Sequence, residues 1–127
     1  PFFQVAENTP KISADPRSLE QVFTNLVSNA VEAMSDHGGT LAVKIAPSET
    51  LTNPPQVEVI ISDSGPGIPD ELRDRIFEPF VSHKTGGTGL GLAITKRLVT
   101  AHHGSIGVDS FPGGTVFTVQ LPAVEGE

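Results

Sequence analysis

The sequence predicts an α+β fold: a two-layer α/β sandwich whose mixed, mostly antiparallel sheet of about five strands packs on three helices. Three observations carry this expectation. Apolar residues recur at helical spacing from Leu19 to Met34. They alternate at a period of two in Leu41, Val43, Ile45 and again in Val57, Val59, Ile61. Glycine and proline clusters separate these runs. With 127 residues, 37% of them hydrophobic, the chain can build one core but not two. The expected organisation is a single domain over residues 1–127, with its recognisable body in 12–122.

Residues 2–6 and 11–13 read as short strands around an Asn8-Thr9-Pro10 turn. Asp15-Pro16 is a helix start, an N-cap acceptor followed by proline at the first helical position. Leu19, Val22, Phe23, Leu26, Val27, Ala30, Val31 and Met34 form the apolar stripe of that helix, which Gly38-Gly39 ends. Residues 40–46 and 56–62 form a hairpin with a long polar connection. Ile60 adds an apolar residue on the second face of the latter strand, so it is expected to be central. Residues 63–69 are irregular and a short helix follows near 70–75. Residues 88–102 return to helical spacing through Leu90, Ala93, Ile94, Leu98 and Ala101. Gly104 stands where a C-capping glycine belongs, with His102 and His103 favoured as cations by the helix dipole. Strands near 105–109 and 114–121, joined by Pro112-Gly113-Gly114, close the chain.

Fifteen acidic residues against eight basic ones give a net charge of −7, which speaks against nucleic acid as a partner. There is no cysteine, so disulfides and thiolate metal sites are excluded. No apolar run is long enough to cross a membrane. The opening Pro1-Phe2-Phe3-Gln4 has neither an initiator Met nor a signal pattern, and reads as an internal cut from a longer protein.

Three stretches look chemical. On the long helix, Asn25, Asn29 and Glu32 fall within roughly 60° of one another and border the apolar stripe. An Asn carbonyl is a neutral oxygen donor suited to Mg²⁺, although helix amides also bond locally or to water. Asp63-Ser64-Gly65-Pro66-Gly67-Ile68 follows the central strand directly. A carboxylate there can accept from an exocyclic amine while the glycines admit a flat ligand; the plain alternative is a tight turn. Gly86-Gly87-Thr88-Gly89-Leu90-Gly91-Leu92 opens the last helix. Free N–H groups at a helix N-terminus bind phosphate, whereas the plain alternative is a flexible loop. It is not a Walker loop, since the chain contains no Gly-Lys pair, and it lacks the Rossmann setting.

In this order and these settings, the three stretches resemble the GHKL superfamily of gyrase-type topoisomerases, heat-shock chaperones, histidine kinases and mismatch-repair ATPases, with its Bergerat ATP-binding fold. Asn25 to Asn29 resembles the N box, Asp63-x-Gly65-x-Gly67 the first glycine box, Phe77-Glu78-Pro79-Phe80 the F box, and Gly87 to Leu92 the second glycine box. Ala101-His102-His103-Gly104-Ser105-Ile106, Gly113-Gly114-Thr115 and Leu121-Pro122 are similar to the ending of sensor histidine-kinase catalytic domains.

The resemblance implies ATP and Mg²⁺ as ligands, with Asn29 holding the metal and Asp63 bonding the adenine amine. Gly65, Gly67 and Ile68 are implied beside the base. The stretch from about Phe77 to Gly87 is implied to be a mobile lid over the nucleotide. Phe80, Thr85, Gly87, Thr88, Gly89, Leu90, Gly91 and Leu92 are implied along the lid and phosphates, and Lys84 as a point charge for the terminal phosphate. Gyrase and chaperone ATPases carry a Glu where this chain has Asn25. An amide is no base near neutral pH, so transfer to a protein histidine is implied over fast hydrolysis. Asn25, Asn29 and Lys84 are then the implied catalytic set. Glu32 and Ala33 stand where many histidine kinases have a basic and an aromatic residue. In this respect the chain is similar to nitrogen- and oxygen-sensing kinases. Glu32 either binds Mg²⁺ or is an exposed helix charge.

None of His37, His83, His102 or His103 has the setting of a phosphoacceptor. The implied partner is therefore the dimerisation and phosphoacceptor domain of the parent kinase, with a response regulator downstream. A monomeric, cytoplasmic domain with no direct membrane contact is expected. A GHKL-type protein serine kinase and a non-catalytic nucleotide-binding module are the alternatives.

Overall fold

The structure, a computed structural model, describes residues 2–5, 15–34, 38–47, 56–78 and 91–123. Among these, the elements run β1 (Phe2–Val5), α1 (Pro16–Ala33), β2 (Leu41–Pro47), β3 (Gln56–Asp63), α2 (Asp70–Arg73), α3 (Gly91–Ala101), β4 (Ser105–Phe111) and β5 (Gly114–Pro122). The strands form one sheet in the order β1-β2-β3-β5-β4. Only β1 pairs in parallel, with β2; the other three pairings are antiparallel. The mixed sheet and the central place of β3 are as the residue pattern predicts. The expected strand at 11–13 lies outside the described residues.

Period-two burial in β3 and β5 turns Val59, Ile61, Phe117, Val119 and Leu121 to one face, where they meet Val22, Leu26 and Ala30 of α1, Met34 at its C-cap and Val99 of α3. Phe77, just after α2, stacks edge-on against Phe117 at 6.2 Å. Lys96 Nζ lies 5.5 Å from the centre of the Phe77 ring, so α3 also holds the chain beyond α2.

Helix α1 starts where Asp15-Pro16 predicts, but the cap bond differs. The Asp15 carboxylate accepts the Ser18 hydroxyl at 2.9 Å rather than a backbone N–H. The buried stripe of α3 is also rotated from the expected one. Thr95 and Val99 are buried, with Leu92 and Leu98 packed beside the core, while Ile94 is 40% exposed. Packing against α1 and β4 sets that rotation, which helical period alone leaves free.

The end of α3 corrects a third expectation. His103, not Gly104, takes the left-handed conformation, at φ 63°, and histidine is among the side chains that tolerate it. Gly104 donates to the Val99 carbonyl at 3.0 Å. It must be glycine for another reason: a Cβ there collides with the Gln120 carbonyl oxygen of β5. The His102 ring is not a dipole-favoured cation either. Its Nδ1 lies 2.8 Å from the Leu98 carbonyl, which only accepts, and its Nε2 takes the Asp15 N–H at 3.1 Å. Those two bonds require the neutral Nδ1–H tautomer. His102 thus ties the end of α3 to the start of α1.

Candidate functional site

One edge of the α1–α3 layer and the loop after β3 carry the polar residues of interest. Of the three α1 residues grouped by periodicity, Asn29 is buried, Asn25 half-buried and Glu32 exposed. Asn25 spends its amide inside the protein. Its Nδ2 donates to the Gly91 carbonyl and to Thr95 Oγ1, both at 3.2 Å, and its Oδ1 accepts from Gln21 Nε2 at 3.1 Å. Thr95 Oγ1 donates in turn to the Gly91 carbonyl at 2.8 Å. This cluster clamps the first turn of α3 onto α1. Asn29 is 8% exposed, yet its carboxamide makes no hydrogen bond among the described residues. No fully buried side-chain polar atom lacks a partner among these residues, so this amide reaches solvent, and an accessible oxygen at the edge of the core fits a cation or a polar ligand.

Asp63 ends β3 with 8% exposure. Its Oδ1 accepts the Gly65 N–H at 2.9 Å. Burial pushes the carboxyl up from its ordinary 3.8, against bonds from the Gly65 and Thr115 backbone that lower it. The loop beyond is held at both ends. On one side Ser64 Oγ accepts the Thr40 N–H at 2.8 Å, and Ser64 N–H donates to the Thr40 carbonyl at 3.2 Å. On the other, Ser110 Oγ accepts the Ile68 N–H at 2.6 Å. Between them Gly67 has φ 87°, and a Cβ there collides with the Phe111 carbonyl oxygen. The region expected to be irregular is a loop built to one shape, with a buried carboxylate at its start.

The structure therefore brings Asp63, Gly65, Gly67 and Ile68 together, and brings Asn25 to Gly91 at the first turn of α3. Leu92 packs against the core. Phe80, Lys84, Thr85, Gly87, Thr88, Gly89 and Leu90, and the Ala33 side chain, lie outside the described residues. Thr95 and Ser110 were not singled out by sequence reasoning, and Ser64 and Thr115 stood only inside quoted stretches, without a role. A signal for three of them exists: each is a polar residue at an apolar step. Thr95 interrupts Leu92, Val99; Ser110 follows Ile106, Val108; Thr115 precedes Phe117, Val119. Among the described residues no group of His, Cys, Asp and Glu is arranged to hold a metal by itself.

Known proteins share much of this sequence and fold. Residues 14–125 match the family model of the histidine kinase-, DNA gyrase B- and HSP90-like ATPases. The sensory histidine kinase/phosphatase NtrB of Vibrio alginolyticus is 44% identical over 119 residues, covering 89% of this chain and 34% of that protein. Sporulation kinase A of Bacillus subtilis is 45% identical over 112 residues, covering 87% of this chain and 18% of that protein. The chain thus spans about a third or less of these curated relatives. The nucleotide-free catalytic domain of the histidine kinase ThkA superposes with a TM-score of 0.76 at 36% identity, over 95% of this chain and 78% of that one. Full-length ShkA in complex with AMPPNP gives a TM-score of 0.77 at 34% identity, over 98% of this chain and 26% of that one. Matched by that family model over residues 14–125, the chain belongs to the histidine kinase-, DNA gyrase B- and HSP90-like ATPase family, as an ATP-binding domain of the sensor histidine-kinase type.

Proposed function

We propose that this chain binds Mg-ATP and transfers its γ-phosphate to a histidine on the dimerisation and phosphoacceptor domain of a longer parent kinase, within two-component signalling. The observation that carries the reading is a pair of buried polar groups: the Asp63 carboxylate in front of its rigid glycine loop, and the unspent Asn29 carboxamide. A buried carboxylate accepts from the adenine amine and rejects a carbonyl at that place. Gly67 and Ile68 let the base lie close to backbone. Asn29 would hold Mg²⁺, which neutralises phosphate charge when bound. Gly91 presents the first turn of α3 to the phosphates, and Asn25 keeps that turn against α1. Lys84 adds a cation toward the terminal phosphate in this reading. Nothing at position 25 activates water, so the phosphoryl group passes to the incoming imidazole nitrogen. The P–N bond forms as the bond to the ADP oxygen breaks, and the imidazole proton leaves to solvent.

Mixing the chain with a separate histidine-bearing helical hairpin from a related kinase and γ-labelled ATP tests this. Label on the hairpin, stable to base and labile to acid, is the expected result. Tight Mg-ATP binding with no phosphohistidine would instead favour a nucleotide-responsive binding module.

A further inference from the structure

We infer that Ser110, on β4 and outside every motif of the nucleotide site, is a positioning residue that sets how selectively the Asp63 loop recognises the base; this rests on the ATP-binding reading above. Three contacts carry it. Ser110 Oγ accepts the Ile68 N–H at 2.6 Å, a short bond that ties down the far end of the loop. Gly67, one residue earlier, lies so close to β4 that an added Cβ would stand 3.0 Å from Ser110 Oγ and collide with the Phe111 carbonyl oxygen. Ser110 Oγ also lies 3.4 Å from Thr115 Oγ1. Thr115 is buried at 3% exposure, and its backbone bonds the Asp63 carboxylate. With its lone pair on Ile68, the Ser110 hydroxyl has its proton free for Thr115. One hydroxyl therefore holds the Ile68 end of the loop directly and touches the side chain of Thr115, the residue opposite Asp63 in the sheet.

Asp63 itself is held by β-sheet register opposite Thr115 and stays in place without Ser110. What Ser110 adds is the path of Gly65 to Ile68, the backbone a base packs against. Its removal is felt on the base side of the nucleotide and not on the phosphate side. A loss of general stability has no such preference.

The test measures affinities of the wild-type chain and its variants for Mg-ATP, Mg-GTP and Mg-tripolyphosphate by calorimetry, with thermal unfolding alongside. In Ser110→Ala, ATP affinity is expected to fall about tenfold, the scale of one lost hydrogen bond with an N–H left unpaired. The ATP-over-GTP ratio falls with it, tripolyphosphate affinity stays at the wild-type level, and Ser110→Thr, which keeps the hydroxyl, restores both. If Ser110→Ala does not fold, Ser110→Cys, similar in size but a weak acceptor, serves in its place. Wild-type ATP affinity and selectivity in the variant overturn the role of Ser110 alone. So does an equal loss for ATP and tripolyphosphate. A wild-type chain that binds no Mg-ATP overturns the ATP-binding reading and this inference together.

Discussion

On α1, Asn25 gives its amide to Gly91, Thr95 and Gln21, while Asn29, one turn further, is more deeply buried and gives its own to no described residue. Both carry the same group on the same edge of the same helix. The difference comes from what packs opposite. The first turn of α3 meets Asn25 with a carbonyl and a hydroxyl, so that amide becomes a structural clamp. Asn29 meets no such partner among the described residues, and its amide atoms still reach solvent, since no fully buried side-chain polar atom there lacks a bond. A ligand that uses it replaces water there rather than a protein partner. The comparison separates an asparagine that builds the site from one that serves it.

The largest effect is expected at Asn29. Asn29→Ala should lower Mg-dependent ATP affinity by about 100-fold, the upper scale for losing support of a metal. Stability should hold or rise slightly, because no described hydrogen bond is lost and Ala is the better helix former. Calorimetric titration with and without Mg²⁺, beside a thermal melt, reads both. Asn25→Ala is expected to do the reverse. It removes three hydrogen bonds and should destabilise the fold by about 1–3 kcal/mol, with a smaller loss of ATP affinity. Combined with Thr95→Val in a double-mutant cycle under urea, it should show coupling of about 1 kcal/mol. A stable Asn25→Ala chain that no longer binds Mg-ATP would exchange the two roles.

The smallest effect concerns Asp63, the other buried polar group of the site. Its folded-state pKa is raised by burial, so the folded chain binds the proton more tightly than the unfolded one. Asp63 therefore contributes stability that is fully present below its ordinary 3.8 and is lost as pH rises through the raised value. Relative to Asp63→Asn, the wild-type chain should gain stability as pH falls through that window and level off below it, as followed by urea denaturation at a series of pH values. ATP affinity should fall over the same window, because a protonated carboxyl is a poorer acceptor for the base amine. A wild-type and variant difference that is flat with pH would show that Asp63 is not desolvated.

Much of this was legible in the residues. The alternation in 41–45 and 57–61 marks β2 and β3, because period two is a local property; β3 is central, as the extra apolar Ile60 suggests, although Ile60 itself is only half-buried. Asp15-Pro16 marks the start of α1 for the same reason: proline at a first helical position is a local requirement. The end of α3 was not legible. Gly104 reads as a left-handed cap, yet β5 needs its missing side chain and His103 carries the left-handed turn. The rotation of α3 was hidden too, since the packing of α3 against α1 that buries Thr95 is not written in its own spacing.

Sequence alone determined the α+β class, the order of elements, the family resemblance and the identity of Asp63 and Asn29 as candidates. Those depend on periodicity, turn chemistry and motif order, which are written along the chain. Only the tertiary structure decided that Asn25 is spent and Asn29 is not. It also decided that His102 bridges two helix ends as a neutral ring, and that Ser64 and Ser110 hold the Asp63 loop from opposite sides. The physical reason is common to all of these. A hydrogen bond between residues tens of positions apart depends on register and packing angle, and neither quantity is written in any local stretch of sequence.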